Sequence, residues 1–161
     1  KEICYKVCMQ YIYITLMFIL IGTNISQANE YIFEFASKFT TEKIIFPDTT
    51  EYVQIKGEGS WQDNLGDYGK VFCLGKAEIQ DKIANLNAFC EAKNQNNVRF
   101  WIALKRSSEM QAGVGIVQFI AGELKYENLV GIQCPYAIQY YEDMSFFKQK
   151  CRLEDNVFNK L

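Results

Sequence analysis

The chain has 161 residues, 49% apolar and 15% aromatic, with seventeen Lys+Arg, nineteen Asp+Glu, six cysteines and no histidine. That length fits one domain and that composition a globular one. The absence of histidine excludes Ser-His-Asp and Cys-His catalysis, histidine-ligated zinc and any imidazole acid or base, and a formal net charge of −2 offers no phosphate-seeking surface.

Residues 1–28 differ from the rest. Lys1 and Lys6 precede a mainly apolar run from Val7 to Gly22, then Thr23-Asn24-Ile25-Ser26-Gln27-Ala28. Ser26 and Ala28 stand three and one residues before a cut between Ala28 and Asn29, the small-residue pattern of a secretory signal peptide. The alternative is an uncleaved anchor, but the apolar core is about 16 residues against the ~20 of a spanning helix. Cleavage removes Lys1, Lys6 and Glu2, so seventeen basic residues become 15 and nineteen acidic become 18 over 133 residues. It also removes Cys4 and Cys8, and an exported domain with four cysteines suggests two disulfides. The expected location is secreted or periplasmic, with no nucleic-acid partner and no membrane span after cleavage.

Residues 29–161 read as a single all-β domain. Short alternating runs separated by turn residues predict strands at Tyr31–Ala36, Glu51–Gln62, Tyr68–Gln80, Ile83–Lys93, Val98–Arg106, Val114–Ile120, Gly131–Tyr141 and Ser145–Glu154. Asp63-Asn64-Leu65-Gly66 and Gln95-Asn96-Asn97 read as turns, and Ala121–Leu129 as one short helical turn. The expected fold is a small antiparallel up-and-down β-barrel of about eight strands.

The cysteines set a register. Cys73 and Cys90 are 17 apart, as are Cys134 and Cys151. Two-residue loops at Asp81-Lys82 and Glu142-Asp143 place each pair directly opposed. There Cα atoms lie about 4.5–5.5 Å apart, within disulfide reach. Two hairpin disulfides are therefore expected, Cys73–Cys90 and Cys134–Cys151, each contributing roughly 3 kcal/mol. Free core thiols or a zinc site are the alternatives, but no CxxC spacing is present.

The register also assigns faces. Val71, Cys73, Gly75, Ala77, Ile79, Ala84, Leu86, Ala88, Cys90 and Ala92 share an inner face of small side chains. A three-residue loop at Gln95–Asn97 turns Phe100, Ile102, Leu104 and Arg106 inward, whereas a slip of one residue would bring in Trp101. Either Phe100, Phe119, Tyr136 and Tyr140 fill the space from across the barrel, or a ligand cavity remains. Arg106, Tyr136, Tyr140 and Gln149 are the polar candidates facing such a cavity.

Gly57-Glu-Gly59-Ser-Trp61 leads into Gly66-Asp-Tyr-Gly69. Ala112-Gly113-Val-Gly115 follows, then Ala121-Gly122-Glu-Leu-Lys125-Tyr126-Glu-Asn-Leu-Val-Gly131 and a tyrosine-rich strand. Between about Glu51 and Cys151 this resembles the small barrel of the allene oxide cyclase-like and dirigent-like group, looking closest to its exported members. The resemblance implies an eight-stranded barrel. It carries over no catalytic residue, because no motif aligns with the cyclase site, and Glu123-Leu124 stands where the group often has Thr-Gly.

Other motifs dissolve on inspection. Ser145-x-x-Lys148 opens a strand, which points the two side chains to opposite faces rather than one side of a helix. Asp63 to Asp67 lacks the ligand spacing of a calcium loop. Gly113 and Gly115 lack the third glycine and helix of a dinucleotide loop. Glu58, Glu78 and Glu91 fall on solvent faces, which weakens a paired-carboxylate mechanism. Glu91 beside Arg99 and Trp101 forms a candidate surface site. Exposed Phe72, Phe89, Tyr141 and Phe146 suggest a protein partner or homo-oligomer. The leading expectation is an exported non-enzymatic barrel, without cofactor or metal, that binds a small apolar ligand or a protein partner. The alternatives are a cyclase- or isomerase-like enzyme with a shaped cavity, and a structural envelope or secreted component.

Overall fold

A computed structural model describes residues 29–109 and 112–161; the signal-peptide reading of residues 1–28 lies outside it. Eight antiparallel strands close into a barrel in simple chain order. They are β1 (Asn29–Ile45), β2 (Glu51–Asp63), β3 (Tyr68–Gln80), β4 (Ile83–Asn94), β5 (Arg99–Glu109), β6 (Ala112–Gly122), β7 (Gln133–Tyr141) and β8 (Met144–Leu153). A 3-10 helix (Leu124–Leu129) joins β6 to β7, and a short helix α1 (Asp155–Phe158) ends the chain. Closure comes from β1 against β8, from Asn29 opposite Leu153 to Lys38 opposite Met144.

Each expected strand is present, and both cysteine registers hold. Cys73 lies opposite Cys90 with Cα atoms 4.0 Å apart, and Cys134 and Cys151 are bonded with Cα atoms 5.0 Å apart. Asp81 and Lys82 have φ of 50° and 68°. Two successive left-handed residues make the two-residue hairpin whose twist matches its strands. Phe100 pairs with Ala92 and is fully buried, so the inward choice at β5 is Phe100 and Trp101 faces out. Phe100, Phe119 and Tyr136 are buried and fill the space left by the alanines of β3 and β4; Tyr140 is only half-buried, at a rim.

The strand reading falls short in β1, which runs nine residues past Ala36 as the partner of a long β2. The expected helical turn is the 3-10 helix, and α1 was not anticipated. Both lie at the same end of the barrel. At the lower end lie the β2–β3 and β4–β5 turns, the 3-10 helix and α1; at the upper end lie the β1–β2, β3–β4 and β7–β8 turns.

Inside, alternation sends every second residue to the axis. The lower and middle axis holds an aromatic stack. Phe33 has its ring centre 5.3 Å from Trp61 and 5.4 Å from Phe100, which is 4.6 Å from Tyr126. Phe147 stacks on Phe35 at 4.4 Å and on Tyr136 at 4.8 Å. Two glycines of β2 and β3 let the wall close. A Cβ on Gly59 would stand 1.9 Å from the Ala36 carbonyl oxygen, and one on Gly69 1.9 Å from that of Lys93. Only glycine permits these approaches.

Candidate functional site

The lower end is sealed by a polar cluster. Tyr126, delivered by the 3-10 helix, donates a short hydrogen bond to Asp67, and Asn94 donates to both Asp67 (3.3 Å) and the Tyr126 oxygen (3.3 Å). Gln95 adds a bond to Asp67 at 2.9 Å and Lys125 an ion pair at 2.8 Å. Burial alone would push the Asp67 carboxyl up, but Lys125, Tyr126, Gln95 and Asn94 together lower it to about 2. Asp63 differs: burial holds its carboxyl above the ordinary value although it accepts the amide hydrogens of Leu65 and Asp67. Tyr31 donates to it at 3.2 Å. With its oxygens engaged by the turn, the Asp63–Asp67 segment is a structural corner and not a cation loop. Ser145 and Lys148 likewise separate: Ser145 is buried against Ser37, with hydroxyls 2.7 Å apart, and Lys148 pairs with Glu34 outside.

The upper lumen is lined by small residues, among them Ser37, Gly57, Gly75, Ala88 and Ser145, and retains a cavity of ≈ 50 Å³. That is room for a water molecule or a few heavy atoms, not for a drug-sized ligand. The four polar lumen candidates are divided by the structure. Tyr136 and Tyr140 line this cavity. Burial raises the Tyr136 phenol to about 12 and also raises Tyr140, each against the opposing pull of the Arg106 charge. Gln149 lies deeper, fully buried, with its amide nitrogen 3.6 Å from the Cys151 Sγ and its carbonyl without a hydrogen bond among the described residues. Arg106 is nearly fully buried on the inward face of β5, with its guanidinium 5.6 Å from the centre of the Tyr140 ring at the upper rim.

The surface trio forms in part. Trp101 Nε1 donates to the Glu91 carboxylate at 3.0 Å, and the Arg99 guanidinium lies 5.1 Å over the Trp101 ring. The ion pair of Arg99 is made with Glu123 at 2.7 Å, not with Glu91. The end of β6 brings Glu123 to the first residue of β5, where it also accepts the Arg99 amide hydrogen at 3.0 Å. This pairing lowers the Glu123 carboxyl.

Sequence reasoning missed the outer grooves. The largest, ≈ 780 Å³, crosses β3, β2, β1, β8 and β7. Its floor is Ala36, Ser60 and Gly69, and its flanks are Tyr68 and Phe146, with Gln62, Gln139 and the Glu34–Lys148 pair as polar edges. The Lys148 ammonium draws the Glu34 carboxyl down. The signal was there in outward positions: small residues on neighbouring strands between large ones make a groove, but only closure of β1 on β8 makes those strands neighbours.

Fold and site thus define a closed, disulfide-stapled antiparallel barrel with a filled axis and grooved walls. No family model, curated protein or solved structure matches the chain. No helix among the described residues is long and apolar enough to cross a membrane.

Proposed function

We propose that the protein is an exported, non-enzymatic binding barrel that takes its ligand on the outer wall. Two cross-strand disulfides support export, because such bonds persist in oxidising compartments, the secreted space or a periplasm. The observation that carries wall binding is the contrast in space: ≈ 50 Å³ within the axis against ≈ 780 Å³ between Tyr68 and Phe146. A groove with two exposed aromatic flanks and amide edges suits an organic ligand with a flat apolar face and a polar rim. A closed eight-stranded barrel agrees with the allene oxide cyclase-like and dirigent-like resemblance, which remains part of this proposal. The cyclase or isomerase alternative needs a substrate-sized lumen and finds little support in ≈ 50 Å³.

The test is a ligand-observed NMR screen of a small-molecule fragment set. Hits should vanish in Tyr68→Ala/Phe146→Ala, both exposed positions, and persist in Ile138→Phe, which fills the lumen. Loss on filling the lumen, with retention in the wall variant, reverses the assignment.

A protein-partner reading rests on a different face. Phe72, Leu74 and Phe89 are exposed together on the outside of β3 and β4, with Leu74 directly opposite Phe89. Large exposed apolar groups in contact mark interfaces more often than isolated ones do. Sedimentation velocity of the purified protein against Phe89→Glu tests the homo-oligomer version. A mass that drops in the variant supports it, and a monomer in both removes it.

A further inference from the structure

The strand registers set the outward side chains of the Tyr68–Phe146 groove in two parallel rows. Directly opposed residues share a face of the sheet, so each row can be followed from strand to strand. In the first, Lys148 of β8 lies opposite Glu34 of β1, Glu34 opposite Gln62 of β2, and Gln62 opposite Tyr68 of β3. In the second, Gln139 of β7 lies opposite Phe146, Phe146 opposite Ala36, and Ala36 opposite Ser60. The first row is a polar ridge that ends on an exposed aromatic ring, and the second drops from another exposed ring to a floor of small side chains. From Phe146 on β8 to Tyr68 on β3 there are three strand spacings, about 14 Å along the wall. The groove is therefore a trough with one aromatic ring at each end.

Three features of the trough describe its occupant. Among the described residues its only charged lining groups are Glu34 and Lys148, and these pair with each other, so the trough offers no net charge to an ionic ligand. Its polar groups recur at each strand step, about 4.8 Å apart, and its amides, hydroxyl, carboxylate and ammonium together both donate and accept. Its length exceeds a single six-membered ring. A planar arene would stack on Tyr68 or Phe146 but would cover the ridge without pairing it, and covered polar groups left unpaired oppose binding. Hydroxyl-bearing rings in series meet both demands. A pyranose has an apolar C–H face for an aromatic ring and a rim of hydroxyls that give and take hydrogen bonds.

We propose that the Tyr68–Phe146 trough binds a neutral oligosaccharide, with pyranose rings against Tyr68 and Phe146 and hydroxyls on Gln62, Gln139 and the Glu34–Lys148 pair. This rests on the wall-binding reading and names the ligand class for that groove. The ion pair stays partly in solvent, with the Glu34 side chain 35% and the Lys148 side chain 52% exposed. Both therefore keep lone pairs or protons for a sugar hydroxyl, and such charge-assisted bonds are stronger than neutral ones. Rings with equatorial substituents present the broadest C–H faces, which points to gluco-configured chains.

Isothermal titration of the oxidised protein with glucose, cellotetraose, tetra-N-acetylchitotetraose and tetragalacturonate tests this, alongside the fragment screen. One or both neutral tetrasaccharides should bind saturably, about tenfold or more tighter than glucose, and should hold their affinity as salt is raised from about 20 to about 200 mM. Tetragalacturonate should bind more weakly than they do. Tyr68→Ala should weaken the tetrasaccharide about tenfold, and Tyr68→Phe, which keeps the ring, should retain it. Gln62→Ala should weaken the tetrasaccharide and spare arene fragments. Glucose binding as tightly as both neutral tetrasaccharides overturns the sugar assignment, as does a preference for tetragalacturonate or no saccharide binding at all. If fragment hits still vanish in Tyr68→Ala/Phe146→Ala, wall binding stands without it. Tetrasaccharide binding that persists in that double variant overturns both.

Discussion

Asp67 shows at single-residue scale how the lower end is held. Its carboxyl is lowered from the ordinary value to about 2 in the folded state. A depressed carboxyl pKa contributes stability that is present above the unfolded value and lost as pH falls through the folded one. The contribution here is about 2 kcal/mol. Asp63, raised by burial, acts in the opposite sense: protonating it favours the fold, so it softens the same acid limb. Urea unfolding from pH 7 to pH 2 should therefore show stability falling below about pH 4, and Asp67→Asn should start about 2 kcal/mol lower with a flatter acid limb. An unchanged acid limb in Asp67→Asn would remove the assignment. The aromatic stack makes a second residue-scale statement. Trp61 touches both Phe33 and Phe100 at 5.3 Å between ring centres and donates to the Lys93 carbonyl at 3.2 Å. Trp61→Ala should cost about 3–5 kcal/mol in the same assay.

Between elements, the disulfides and the glycine contacts fix how strands meet. Each bridge joins two neighbouring strands across 17 residues. Replacing Cys73 and Cys90 by serine should lower stability by about 3 kcal/mol, with a native-like far-UV spectrum because the aromatic stack remains. A non-reducing peptide map should join Cys73 to Cys90, and a Cys73–Cys134 or Cys73–Cys151 peptide would contradict the register. Gly59 limits the approach of β2 to β1. Gly59→Ala forces a Cβ onto the Ala36 carbonyl and should cost about 3 kcal/mol, the upper end of overpacking effects. These elements also differ in how far the sequence reveals them. The β3–β4 and β7–β8 hairpins were readable because two cysteine pairs with equal spacing met tight turns at Asp81-Lys82 and Glu142-Asp143. The second half of β1 was not. Lys38 to Lys43 mixes charge and threonine, and it is a strand because β2 extends to pair with it, a tertiary effect on weak local preference.

For the whole molecule, closure creates what local pattern could not announce. The placement of Arg106 at the upper rim beside Tyr140 and of Gln149 in the deep core follows from strand alternation and from which strands neighbour each other. The small-residue inner face of β3 and β4 was visible in the sequence. Whether it faced a cavity or aromatic side chains depended on β1, β5 and β8, which fill most of it. Outward alternation similarly lists Tyr68 and Phe146 as exposed, but a groove between them exists only once β1 joins β8. The central claim is that binding takes place on the wall of a filled barrel. Amide shift mapping of the ¹⁵N-labelled oxidised protein with the tightest fragment hit tests it most directly. The account predicts perturbation at Glu34–Ala36, Ser60–Gln62, Tyr68 and Phe146–Lys148, with Gly57, Gly75, Ala88 and Tyr136 unmoved. Perturbation centred on Gly57, Gly75, Ala88 and Tyr136 would contradict it and place the ligand in the lumen.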